Sequence, residues 1–172
     1  YGVIGEHLGH SFSKEIHSYI GDYDYSVTEI AKDDLEAFIK AKNFSGINVT
    51  IPYKQAVIPF LDEISAEAKA IGAVNTIVNK NGRLYGYNTD FFGASALIKK
   101  AGVDLEGKNV LILGTGGTSL TLSAVAKSMG ARRITHVSRH GKNDLNSDPV
   151  SYEAAPALFP DTQVIINTTP VG

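Results

Sequence analysis

The sequence has no cysteine in its 172 residues. That excludes a disulfide frame and a thiolate zinc site, and it fits a reducing compartment. There is no apolar run long enough to span a membrane and no signal peptide at Tyr1. Neither sign of charge is in large excess. The formal net charge of -2 supplies no general attraction for nucleic acid or an anionic membrane. Repeats, low-complexity tracts and charge runs are missing, and the histidines lack metal-ligand spacing, so no metal is expected. What is present is a globular composition, 43% hydrophobic and 20% charged, which can bury a core. The expected setting is the cytoplasm and the expected partner a small molecule; a homodimer stays open. The chain starts without Met and stops on Val171-Gly172, right after a predicted strand, so both ends read as cut.

The most informative stretch is Gly46-Ile47-Asn48-Val49-Thr50-Ile51-Pro52-Tyr53-Lys54. Ile47, Val49 and Ile51 alternate with Asn48 and Thr50, the period of a half-buried strand. Pro52 removes a backbone donor and ends it. Lys54 then stands at the mouth of a strand, near a threonine hydroxyl and an asparagine amide. In an open α/β sheet ligands sit at such strand ends. An ordinary surface lysine opening a helix has the same spacing.

Other polar clusters fall at element ends. Tyr1–Gly5 reads as a short strand and His10-Ser11-Phe12-Ser13 as the loop after it. Ser13 is placed to cap a helix with Ile16, Tyr19 and Ile20 on one face. Two serines at a helix start can also donate to a carboxylate, which the helix dipole favours. Tyr23–Ile30 reads as a strand with Tyr25 and Val27 on one face, and Asp33–Lys42 as an amphipathic helix. Lys54–Leu61 and Ser65–Ile71 read as helices, the second capped by Ser65 and stopped by Gly72. Asn75–Asn79 and Arg83–Tyr87 flank Asn81-Gly82, a strong hairpin signal. Asn88-Thr89-Asp90 opens a long helix with Phe92, Ala96, Leu97 and Ala101 at helical spacing, stopped by Gly102. By residue type alone, Asp90 suits a first-turn acid and Asn75 a strand-end turn.

From Lys108 the pattern changes. Asn109–Leu113 is a continuous apolar run, as in a parallel strand covered on both faces. Gly114-Thr115-Gly116-Gly117-Thr118-Ser119 follows, then a helix from Leu120 to Met129 and a strand from Arg133 to Ser138. A glycine turn between strand and helix of a βαβ unit is where a dinucleotide fingerprint belongs. Gly114 allows the tight turn, Gly116 the approach of a pyrophosphate, and Ser119 fills the third, small position. The second strand ends in Ser138-Arg139-His140 without an acid, which suits the extra phosphate of NADP; a solvated strand-end charge is the alternative for Arg139. Tyr152–Phe159 reads as a short helix and Gln163–Asn167 as a third strand, followed by Thr168-Thr169-Pro170.

Taken in order, His10-Ser11-Phe12-Ser13, Asn48–Lys54, Gly72–Thr76, Tyr87–Asp90, Gly114–Gly117 and Asn167–Pro170 resemble the shikimate dehydrogenase family over nearly the whole chain. The resemblance implies an α/β protein: a substrate domain over residues 1–102 and an incomplete Rossmann dinucleotide-binding domain over 103–172. It implies NADP as cofactor and reversible reduction of 3-dehydroshikimate to shikimate. An NAD-dependent quinate/shikimate dehydrogenase and a non-catalytic ligand-binding relative are the rivals. It implies Lys54 and Asp90 as the catalytic pair, Ser11 and Ser13 on the substrate carboxylate, and Thr50 and Asn75 on ring hydroxyls. Cofactor contacts fall to Gly114, Gly116, Gly117, Thr118, Ser138, Arg139, Asn167 and Thr168. The chain departs from the family at Lys14, where a proline is usual, and around Arg139, where only the arginine matches.

Overall fold

A computed structural model describes residues 1–9, 11–144, 146 and 148–171. His10 of the first polar cluster and Gly172 at the chain end lie outside the described residues. The chain divides into two compact units, Tyr1–Thr89 and Asp90–Gly172.

The first unit is a six-stranded mixed sheet. Its strands are β1 (Gly2–Gly5), β2 (Ser26–Glu29), β3 (Gly46–Val49), β4 (Glu63–Ile64), β5 (Thr76–Lys80) and β6 (Arg83–Tyr87), in the order β2-β1-β3-β5-β6-β4. β1 runs parallel to β2 and β3, while β3–β5 and β5–β6 are antiparallel. The β5–β6 hairpin turns on Asn81 and Gly82, both at positive φ (54° and 83°), as a two-residue primed turn requires. Ile4, Ile47, Val49, Ile77 and Leu84 pack on one face of the sheet with Leu35 and Ile39 of α2 (Leu35–Ala41). Helix α3 (Ala66–Ile71) is capped by Ser65, whose hydroxyl accepts from the Ala68 N–H at 3.2 Å, and stops on left-handed Gly72.

Several expectations change here. Strand β3 ends at Val49, and Ile51 is 73% exposed, because the chain turns at Thr50, whose carbonyl accepts from the Tyr53 N–H at 2.9 Å. The expected helix from Lys54 to Leu61 is a series of turns ending in a 3-10 turn at Ile58–Phe60. Pro59 has no N–H to return to Gln55, so an α-helical ladder cannot continue through it. Helix α1 (Ser13–Ile20) begins with Ser13 itself, and Phe12 occupies the cap position without a side-chain bond. Ile16, Tyr19 and Ile20 are exposed rather than inward. Strand β2 is shorter than expected, with Tyr25 just ahead of it buried and Val27 exposed.

The second unit carries a parallel sheet with order β8-β7-β9, formed by β7 (Asn109–Leu113), β8 (Arg133–Lys142) and β9 (Val164–Asn167). Leu111 faces Val137, Val150 and Phe159 on one side; Val110 and Ile112 face Ala126 of α5 (Gly117–Ser128) on the other. The apolar run of β7 is therefore covered on both faces. Beside β8, Val150 makes only isolated parallel bridges, so β9 is not the next strand outward but sits on the far side of β7. Helix α4 (Asp90–Lys100) belongs to this unit, since Ile98 packs against the Ala126 side of the core. That puts the division before Asp90 rather than at the expected 102/103. Phe92 and Leu97, at helical spacing on α4, are exposed. Only Ala155–Leu158 of the expected Tyr152–Phe159 helix is helical, as α6.

Candidate functional site

In the first unit, period-two alternation sends Ile47 and Val49 into the core and Asn48 to the other face of the sheet. There a hydrogen-bonded chain runs through β3 and β5 and the residues flanking β2, β5 and β6. The Tyr25 hydroxyl donates to Asn48 Oδ1 at 2.8 Å. Asn48 Nδ2 reaches Thr76 Oγ1 at 3.4 Å, and Thr76 Oγ1 donates to Asn75 Oδ1 at 3.1 Å. The Thr89 N–H donates to the same Asn75 oxygen at 2.9 Å, while Asn75 Nδ2 donates to Thr89 Oγ1 at 3.0 Å. Asn75 is buried, so this pairing satisfies an amide that water cannot reach. Burial raises the Tyr25 pKa above its ordinary value; a hydrogen bond with the Ser13 hydroxyl opposes the rise, and Tyr23 adds to it. Tyr25 and Asn75, far apart in sequence, are thus linked through Asn48 and Thr76.

Ser11 lies at the start of the same segment. Its hydroxyl accepts from the Ser13 N–H at 3.3 Å, so Ser11 rather than Ser13 satisfies a helix-start donor. Thr50 packs its methyl over Gly5, where an added Cβ would stand 2.8 Å from Thr50 Cγ2. Lys54 is half-buried in the turn segment, and its carbonyl accepts from the Val74 N–H at 2.8 Å. Asp90, expected as its partner, falls in the other unit as the first residue of α4. Asn48 lies within the most informative stretch but is not among the expected site residues, and Tyr25 is expected only as a strand position on one face with Val27. The period of two could have flagged Asn48. Nothing local to Tyr25 predicts its partner.

In the second unit the chain runs from β7 to β8 on one side and returns to β9 on the other. The crevice at the carboxyl ends of β7 and β9 is therefore a topological switch point, where open α/β sheets bind ligands. Gly114 occupies it with φ of 112°. A Cβ there would stand 2.8 Å from Thr168 Oγ1, so only glycine fits beneath the β9 end. Thr168 closes over the turn, its N–H and hydroxyl donating to the Leu113 carbonyl at 2.9 and 2.7 Å. Gly116 is extended at the α5 cap position, with nothing within 4 Å of an added Cβ. Gly117 and Thr118 form the first helical turn, where backbone N–H groups attract an anion. Ser119 is fully buried and donates to the Gly114 carbonyl at 2.8 Å, which explains a small residue at the third position. Asn167 accepts from the Thr169 N–H at 2.9 Å. Ser138 and Arg139 lie inside β8, which runs on to Lys142 past the expected end at Ser138; Arg139 is exposed, and Ser138 Oγ accepts from the His140 N–H at 3.2 Å. The open glycine cradle at a helix start fits a dinucleotide pyrophosphate. Among the described residues no group of three His, Cys, Asp or Glu is arranged for a metal ion, and no helix is long and apolar enough to cross a membrane.

Fold and site together define a class: α/β proteins that join a mixed-sheet unit to a Rossmann-type unit. Comparison with known proteins narrows it. Residues 3–77 match the shikimate dehydrogenase substrate binding domain. The chain is 40% identical to a curated shikimate dehydrogenase (NADP(+)) of Clostridium perfringens, covering 100% of this chain and 68% of that protein. A crystal structure of shikimate dehydrogenase 1 from Peptoclostridium difficile superposes with a TM-score of 0.86 at 38% identity, over 99% of this chain and 66% of that one. Shikimate 5-dehydrogenase from Thermus thermophilus, solved with NADP(H) and shikimate, gives 0.77 at 28% identity, over 99% and 68%. The chain belongs to the shikimate dehydrogenase family, and it spans about two thirds of the length of these relatives.

Proposed function

We propose that the protein catalyses reversible NADPH-dependent reduction of 3-dehydroshikimate to shikimate, a step toward chorismate and the aromatic amino acids. The observation that carries this reading is the hydrogen-bonded chain Tyr25–Asn48–Thr76–Asn75–Thr89, which fixes polar groups in the unit that bears Lys54. The NADP(+) named for the Clostridium relative and the shikimate and NADP(H) bound in the Thermus structure support the same choice of ligands. In this reading the first unit holds substrate and the second holds cofactor. The activity is assigned to the cytoplasm as part of the same reading.

The substrate is a carboxylate with ring hydroxyls. Ser11 and Ser13 donate to the carboxylate; Thr50 and Asn75 take ring hydroxyls. Reducing a ketone to an alcohol adds a hydride to carbon and a proton to oxygen, and oxidation removes both. Lys54 gives the proton to the developing oxyanion and takes it back in reverse; Asp90 is the second residue of the proposed catalytic pair. Bound NADPH supplies the hydride. Gly114, Gly116, Gly117 and Thr118 hold its pyrophosphate, Ser138 and Arg139 the phosphate on its adenosine ribose, and Asn167 and Thr168 line the cleft. The test is turnover: shikimate added with NADP should produce NADPH, and more slowly with NAD. No shikimate-dependent reduction of either cofactor overturns the proposal.

A further inference from the structure

Helix α1 carries no buried residue. Ser13 and His17 are partly covered, and every other residue of the helix is exposed. The two stand four apart, so they share one face, one turn from each other. Burial of apolar side chains therefore contributes little to where this helix sits, and the contacts of that one face decide it.

His17 supplies those contacts. Its ring stacks on Tyr25, with 3.9 Å between centroids and 15° between planes. It meets the Tyr23 ring edge-on at 5.9 Å, and the Tyr23 hydroxyl lies 2.7 Å from Nδ1. Both tyrosines are themselves held. Tyr25 is 8% exposed and its hydroxyl is bonded to Asn48 of β3, while Tyr23 packs edge-on against Tyr1 at 5.1 Å. Gly21 at the end of the helix lets the Tyr23 ring fold back, since a Cβ there would stand 2.8 Å from Tyr23 Cε1. Stacking and a hydrogen bond together fix one ring in one orientation.

We infer that His17 is a positioning residue. By docking α1 on Tyr23 and Tyr25 it sets where Ser13, one turn earlier on the same face, presents its hydroxyl. The inference rests on the proposed role of Ser13 at the substrate carboxylate and names what holds that serine in place.

His17→Ala removes the ring. The expected result is a rise in KM for shikimate of about two- to tenfold, the worth of one net hydrogen bond, with kcat and KM for NADP retained. His17→Phe keeps a flat ring for Tyr25 and should bring KM back toward the parent; a KM as high as in His17→Ala overturns the inference. Tyr23→Phe frees Nδ1 without altering α1 and should raise the same KM by a smaller factor; no rise overturns the inference as well. Combined with Ser13→Ala, His17→Ala should give less than the product of the two separate effects, because both act at one contact. A full product overturns it. So does a lowered unfolding midpoint in His17→Ala with KM unchanged, which makes the ring structural only. The two levels of failure are distinct. If unaltered protein neither binds nor oxidises shikimate, the functional reading falls and takes this inference with it. If it is active and the His17 and Tyr23 variants keep the parent KM, only the inference falls.

Discussion

Tyr53 donates its phenol proton to the carbonyl of Ile30, 23 residues earlier in the chain, from a side chain only 1% exposed. The bond ties the segment that carries Lys54 to the residue following β2. It also explains why the lysine follows a large aromatic: the ring fills the core beside Val57 and Ile4, and its hydroxyl satisfies a buried carbonyl. Tyr53→Phe should cost about 1–3 kcal/mol, since it leaves that carbonyl without its donor. Urea unfolding of the two proteins checks this; equal midpoints mean the carbonyl finds another partner.

Lys54→Ala tests the proton-transfer role. Loss of a positioned general acid–base group lowers kcat by about 10²–10⁴-fold. The variant should keep its circular dichroism spectrum and still bind shikimate. Survival of kcat together with a lowered unfolding midpoint would make Lys54 a structural residue.

Arg139→Ala tests the cofactor choice. Arg139 is exposed within β8, where it can meet a phosphate without first breaking into the core. A charge-assisted contact contributes roughly 1.5–3 kcal/mol, so NADP should bind about ten- to a hundredfold more weakly and NAD as before. Titration of each cofactor decides, and equal affinity of variant and parent for NADP removes Arg139 from the site.

Stability of the second unit should depend on acid through Asp161. Its carboxyl accepts from Arg133 at 2.5 Å, and from Asn109 at 2.7 Å. The Arg133 hydrogen bond, with the charges of Arg133 and Arg132, holds its pKa below the ordinary value. A carboxylate with a depressed folded pKa stabilises the fold above its unfolded pKa, and that contribution is lost as pH falls through the folded one. Asp161→Asn should therefore lower the unfolding midpoint at neutral pH, and the gap to the parent should close below the ordinary carboxylate range. A gap that is the same at every pH would assign the loss to shape rather than charge.

Much of the fold was legible because it depends on neighbours in the chain. Asn81-Gly82 makes its turn from the left-handed freedom of two adjacent residues, and Ser65 caps α3 through an N–H three residues on. The continuous apolar run of Asn109–Leu113 demanded cover on both faces, and the glycine turn after it demanded a helix start. For the candidate site, strand ends and polar spacing mark Thr50 and Lys54, while the roles proposed for Ser13 and Asn75 rest on the family resemblance.

Tertiary structure decided what neighbours cannot. Pattern alone made a helix of Lys54–Leu61, but Pro59 and the anchoring of Tyr53 to Ile30 hold it as turns. Helical spacing on α1 and α4 marked apolar positions that the fold leaves exposed, Ile16 and Phe92 among them. Spacing also could not say that β9 joins the far side of β7, or that α4 groups with the second unit. Sequence by itself determined which residues alternate, cap and turn, since those follow from sterics and hydrogen bonds within a few residues. Which way the Asn48 amide points was decided only by folding, because the phenol that holds it comes from another strand's approach and meets it across the sheet.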